Sequence, residues 1–255
     1  MAAHPLPTRR GMAASAPVTP RGTGTAAGML VPPSAADTPL FGGALAVSLP
    51  DGWLDCSDAR PVPDHQEVWL EREGQCRSLI IEILERAEEA SDDKCAIYHF
   101  VDIAEANNAA GQRITYTDAL PPTALRPSLA QAVGPCFALH GVQILPPDGA
   151  ASRLGREPPA EAAQAAAPSS GPHAGAPAGT VQLELSLAVL RLPRQSTDLL
   201  VSVNRARPLP GTDDAPGADR EAAEAQQLVD AKEDAALLAS VVGTLEVRDW
   251  GLFGE

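Results

Sequence analysis

Asp55, Asp58, Asp64 and Glu67 place four carboxylates within thirteen residues, against one cation, Arg60. Two chemistries suit such a cluster. A pair such as Asp64 and Glu67 could serve as general acid and base, as carboxylate pairs do in glycoside hydrolysis. The cluster could instead present negative charge to a basic partner. Pro61 and Pro63, set among the acids, each remove a backbone donor and fix φ, so the segment cannot continue a helix or an inner strand. A stiff, exposed loop is a poor place to raise a carboxylate pKa by burial, and no second catalytic constellation accompanies it. It is a good place to present charge, because a preordered loop loses less entropy on binding. Some of these acids would also cap turns through Asx-type bonds, Asp55 and Asp58 foremost.

Other residues with chemical potential lack a pattern. Gly42-Gly43 and Gly22-Thr23-Gly24 are too short to cradle phosphates, and there is no G-x-x-x-x-G-K-[ST] loop, so the chain is not itself a nucleotide hydrolase. Cys56, Cys76, Cys95 and Cys136 form no C-x-x-C pair and have no histidine at metal-ligand spacing; reduced thiols of a cytosolic or nuclear protein explain them. His99 stands alone among apolar residues, where a histidine is usually packed or at the surface. The expectation is a protein without catalytic residues, metal or cofactor.

Charge narrows the class of partner. The 255 residues carry a formal charge of −14. Three of the 19 basic residues (Arg9, Arg10 and Arg21) precede the first acid, Asp37, leaving 16 basic against 33 acidic residues, a net −17. Such a chain does not bind a phosphate backbone, which needs Lys and Arg, and aromatics at 4% offer no base-stacking platform. A basic protein partner fits, because complementary fields speed and orient docking. No apolar run approaches the roughly 18 residues of a membrane span.

The elements that must hold the acidic loop are legible on both sides. An alternating strand over Gly43–Leu49 leads through a Pro50-Asp51-Gly52 turn into the loop, and Gln66–Leu70 leaves it as a strand. Ser78–Leu84 reads as a further strand and Glu88–Asn108 as a helix closed by Gly111, with Ala96, Ile97, Phe100, Val101, Ile103 and Ala104 on one face. Arg113–Thr117 is a short strand, Pro121-Pro122 a break, and Cys136–Leu145 a strand. Val181–Leu192 has the best period-2 alternation in the chain, with Val181, Leu183, Leu185, Leu187 and Val189 on one face. Asp198–Asn204 follows and could pair with it antiparallel. Asp219–Gly243 is a last helix, with Leu228, Val229, Leu237, Leu238, Val241 and Val242 inward and Gly243 at its end. Residues 1–38, 148–179 and 206–218 are rich in Ala, Pro, Gly, Ser or Asp and are expected to be a disordered arm and two disordered insertions. The order predicts an α+β fold: an antiparallel β-sheet between helices, in a single domain over 39–255.

Several of these stretches carry a resemblance. LFGGA, a strand ending in LP, and D-x-S-D-x-R-P-V-P-D-x-Q-E-V resemble the Ran guanine nucleotide release factors, the Mog family of nuclear import factors. The similarity returns at Ser78–Glu85, Tyr98-His99-Phe100, Leu190–Pro193 with Thr197–Leu200, Asn204, and Leu252-Phe253-Gly254, covering roughly 39–147, 180–205 and 235–254. Cys56 and Ala59 depart from larger apolar residues usual in the loop, and His65 stands where Asn is usual. The resemblance implies a Mog/PsbP-like fold and a monomer that binds the small GTPase Ran, with other Ran-binding proteins as further candidate partners. It implies promotion of nucleotide release in the nucleus and cytoplasm. The implied Ran-binding residues are Asp55, Asp64 and Glu67, with Asp58 and Arg60 shaping or flanking the site. A second reading is an organellar subunit-binding protein of the PsbP type, for which the acid-free, Arg-bearing residues 1–38 would be a transit peptide.

Overall fold

A computed structural model describes residues 37–72, 77–146, 179–209 and 217–254. The arm and the first insertion expected from the sequence lie almost wholly outside them. Asp37 and Thr38, however, belong to a strand, and residues 206–208 and 217–218 belong to regular elements.

Among the described residues, ten strands form two antiparallel sheets. In chain order they are β1 (Asp37–Leu40), β2 (Leu45–Ser48), β3 (Trp53–Asp55), β4 (Gln66–Glu71), β5 (Arg77–Glu85) and β6 (Gly111–Leu120). Then come β7 (Cys136–Leu145), β8 (Val181–Leu192), β9 (Thr197–Pro208) and β10 (Glu246–Val247). The large sheet has the order β3-β4-β5-β9-β8-β7-β6, and the small one β1-β2-β10. Helices α1 (Cys95–Ala106), α2 (Pro127–Ala130) and α3 (Gly217–Thr244) complete the α+β fold.

Alternation on the central strands sorts the core into two layers. Leu79, Ile81 and Ile83 of β5, Leu199, Val201 and Val203 of β9, and Ala188, Leu190 and Leu192 of β8 face one way. They meet Leu237, Leu238, Val241 and Val242 of α3 and Leu40, Leu45 and Val47 of the small sheet. Leu185, Leu187 and Val189 of β8 point the other way, onto Cys95, Ala96, Phe100 and Ile103 of α1. The strand read over Val181–Leu192 has these bounds and pairs antiparallel with β9 as expected. The α1 side comes very close to the sheet at Gly141, where an added Cβ would lie 2.6 Å from the Phe100 ring. A third, smaller cluster of Cys56, Val68 and Ile80, with Val62 and Leu70 against it, lies under the acidic loop.

The structure corrects several expectations. Helix α1 begins at Cys95, not near Glu88, because Arg191 takes the carbonyls of Ala87 and Ala90 that a longer helix would need. Asn108, in the left-handed region at φ 51°, ends it, and Gly111 opens β6, which runs five residues further than the alternation over Arg113–Thr117 suggests at its two ends together. Leu228 and Val229 are exposed, not inward, and Gly243 lies inside α3.

Candidate functional site

The acidic loop is built from the inside out. β3 runs into a 3-10 turn, Cys56–Asp58, whose entry is capped by Asp55: its Oδ1 accepts the Ser57 N–H at 2.8 Å. Cys56 is buried and its carbonyl accepts the N–H groups of Ala59 and Arg60, both at 3.0 Å. Val62, between the two prolines, turns inward onto Cys56, Val68 and Ile80, so the loop has an apolar underside. A turn then returns the chain to β4, with the Gln66 N–H donating to Pro63 C=O at 2.8 Å. Behind that turn the buried Glu82 accepts from Gln66 Nε2 at 2.7 Å and lies 3.4 Å from His65 Nε2, tying the loop's exit to the sheet.

The five residues singled out in the sequence fall into two groups. Asp58 and Asp64 are exposed on the loop. Arg60 is half-buried, and its Nε is shielded from solvent with no partner. Asp55 and Glu67 share the opposite side of the β3–β4 ladder: Asp55 pairs with Trp69, which puts Glu67 at the diagonal position. Glu67 is half-buried, and its Oε1 accepts the N–H of Phe41 at 2.5 Å. Burial pushes its carboxyl above the ordinary value, the Phe41 N–H works against that, and the nearby Asp55 charge adds to it. Glu67 is therefore not part of an exposed cluster. Its partner is the 3-10 turn Phe41–Gly43, which the sequence showed as part of the motif LFGGA but not as a turn, since Gly43 reads there as the start of a strand that in fact begins at Leu45.

Cys95 and His99 lie one turn apart on α1, and His99 Nε2 is 2.8 Å from Asp198 Oδ2. The arrangement has the residue types of a thiol triad. All three are buried, however, and burial pushes the Cys95 thiol up to about 11, which disfavours the reactive thiolate. Asp198 is held by Arg191 Nε at 3.1 Å and by the Ala87 N–H at 3.1 Å, so the group serves as a clamp between β8, β9 and the lead into α1. Cys56 and Cys136 are likewise buried and free. Among the described residues no group of His, Cys, Asp and Glu could hold a metal ion, and no helix is long and apolar enough to cross a membrane.

Comparison with known proteins places the chain. The family model described as Ran-interacting Mog1 protein matches residues 38–206. The Ran guanine nucleotide release factor of Bos taurus is 32% identical over 173 residues, covering 68% of this chain and 76% of the relative. The nuclear import protein mog1 of Schizosaccharomyces pombe is 44% identical over 79 residues, 31% of this chain and 41% of that protein. Among solved structures, the Saccharomyces cerevisiae Ran-binding protein Mog1p superposes with a TM-score of 0.55 at 21% identity, over 86% of this chain and 97% of that one, a similarity of fold. The acidic loop, the strands on either side of it, β8 and all but the last two residues of β9 fall inside the matched span: this chain belongs to the Ran-interacting Mog1 family.

Proposed function

We propose that this chain binds the small GTPase Ran and promotes release of its guanine nucleotide, acting in nucleocytoplasmic transport as a regulator with no catalytic residues of its own. The observation that carries this reading is membership of the Ran-interacting family together with an acidic loop, ordered from beneath, that holds Asp58 and Asp64 exposed. Linkage supplies the mechanism. A protein that binds the nucleotide-free GTPase more tightly than the loaded form must lower nucleotide affinity by the same factor. Carboxylates on the loop would do this by competing with phosphate for the partner's basic groups. Asp58 and Asp64 supply the exposed charge, Asp55 fixes the turn that carries Asp58, and Arg60 and Glu67 shape the site. Action as a monomer in nucleus and cytoplasm is part of the proposal. The organellar reading draws on residues 1–38 and has no support among the described residues.

Asp58→Lys with Asp64→Lys tests the reading, since both side chains are exposed and surface charges of this kind change stability by about 0–1 kcal/mol. Affinity for Ran should fall more than tenfold, about 1.4 kcal/mol or more. Release of labelled nucleotide from Ran should slow in step. A folded double variant that binds and releases like the parent would remove the acidic loop from the Ran site.

A further inference from the structure

Phe41, Gly42 and Gly43 are three successive residues in the left-handed region, at φ 49°, 66° and 94°. Glycine enters this region freely, but Phe41 does so only where its surroundings impose it. They do so here through three contacts: Glu67 Oε1 accepts its N–H, its carbonyl accepts the Ala44 N–H at 3.2 Å, and its ring packs on the core. One oxygen of this half-buried carboxylate is thereby committed to the turn within the chain itself. Gly42, by contrast, is exposed, and a Cβ there would meet nothing within 4 Å, so no packing inside this chain requires the turn to be bare.

We propose that Glu67 is a positioning residue, which holds the left-handed Phe41–Gly43 turn beside Asp55 so that turn and acidic loop form one continuous surface for a basic protein partner. This rests on the Ran reading above and changes what Glu67 does within it. The surface presents charge from the loop and bare backbone from the turn, and the partner reads both.

Binding of nucleotide-free Ran to Glu67→Gln, Glu67→Ala and Gly42→Val, at several salt concentrations, separates positioning from charge contact. Gln keeps an acceptor for the Phe41 N–H and loses the charge; Ala loses both. Valine at position 42 alters no charge but resists positive φ. Under positioning, E67A and G42V each weaken binding about tenfold or more, and E67Q restores it to within about twofold of the parent. The salt dependence, set by the loop's exposed charges, stays the same in all three. If E67Q is as weak as E67A and has a shallower salt dependence, Glu67 contacts the partner directly and the proposal is wrong. Parent-like binding by G42V overturns it as well. Should E67A fail to fold, E67Q and G42V still decide. The double lysine variant at positions 58 and 64 distinguishes the two levels. If it loses binding while E67Q and E67A behave alike, only the role of Glu67 falls; if it binds like the parent, the Ran-site reading falls first.

Discussion

Arg191 and Asp198 are seven residues apart in sequence and directly paired across the β8–β9 ladder, both almost wholly buried. Arg191 also donates to Asp92 Oδ1 at 2.6 Å and to the carbonyls of Ala90 and Ala87, and Asp198 accepts from His99 and from the Ala87 N–H. Taking two charges out of water is costly, and full hydrogen bonding of both is what makes the pair tolerable. Asp198→Ala should therefore destabilise by about 3–5 kcal/mol, read as a lowered midpoint in urea, because it strips the buried Arg191 of its buried carboxylate and leaves only the part-exposed Asp92 as a charged partner. The pair also predicts acid sensitivity. Burial works to raise the Asp198 carboxyl, but the hydrogen bonds from His99 and Arg191 overcome it and hold the group below its ordinary value. A depressed folded pKa gives stability that is fully present above the unfolded carboxyl value and is lost as pH falls through the folded one. Stability should thus drop as pH is lowered below about 4, and Asp198→Asn should flatten that part of the profile. At this scale the sequence was only partly readable. Asp58 and Asp64 were legible as exposed because the stiff Pro61-Val62-Pro63 run lies between them. Glu67 was not legible as a tether, because its partner lies 26 residues away and is a backbone N–H that no side-chain pattern marks.

Helix α3 is held by different forces along its length. Its C-terminal half packs Leu237, Leu238, Val241 and Val242 into the core. Further toward the N-terminus the contacts are ionic: Asp234 accepts from Arg205 Nη2 at 2.7 Å and from Arg77 Nη1 at 3.3 Å, and Asp230 pairs with Arg207. The two halves should respond differently to substitution. Leu238→Asp buries a charge with no partner in the apolar half and should cost about 3 kcal/mol or more in thermal or urea unfolding. Asp234→Ala should cost a similar amount by removing the buried carboxylate that accepts two hydrogen bonds from Arg205. The double change Asp234→Leu with Arg205→Met should recover much of the loss, since apolar replacement of a whole buried pair is often neutral or better. Leu228→Ala, at an exposed site, should stay within about 0.5 kcal/mol of the parent. Strand β8 could be read to the residue because its alternation marks one face and Pro193 its end; β7 alternates only loosely, and Pro146-Pro147 marks where it stops. The ends of α1 and the inward face of early α3 could not be read. The first depends on Arg191 capturing carbonyls from a distant strand, and the second on a sheet surface that is ionic where the helix pattern suggested apolar.

Across the whole molecule, the chain on either side of residues 147–178 returns to the same place. Leu145, the last residue of β7, is directly paired with Val181, the first of β8, and the ladder continues from there without a break to Cys136 and Leu190. The pairing of Leu145 with Val181 brings the two ends of the intervening chain to a separation that two to five residues suffice to bridge in a β-hairpin. The acidic loop is far from this connection in the sheet order, since β3 and β4 form one edge while β7 and β8 lie toward the other. Replacing 147–178 with a short Asn-Gly-containing turn should thus leave both the sheet and the proposed Ran surface intact. Loop closure makes the expected direction of stability definite: each halving of loop length returns about 0.6 kcal/mol, so reducing roughly thirty residues to about four should raise stability by up to about 2 kcal/mol. Urea unfolding would measure that gain, and Ran binding by the shortened chain, with nucleotide release alongside, should match the full chain. A shortened chain that folds with the expected gain yet binds Ran more weakly would place part of the partner surface at this connection, away from the acidic loop and the Phe41–Gly43 turn.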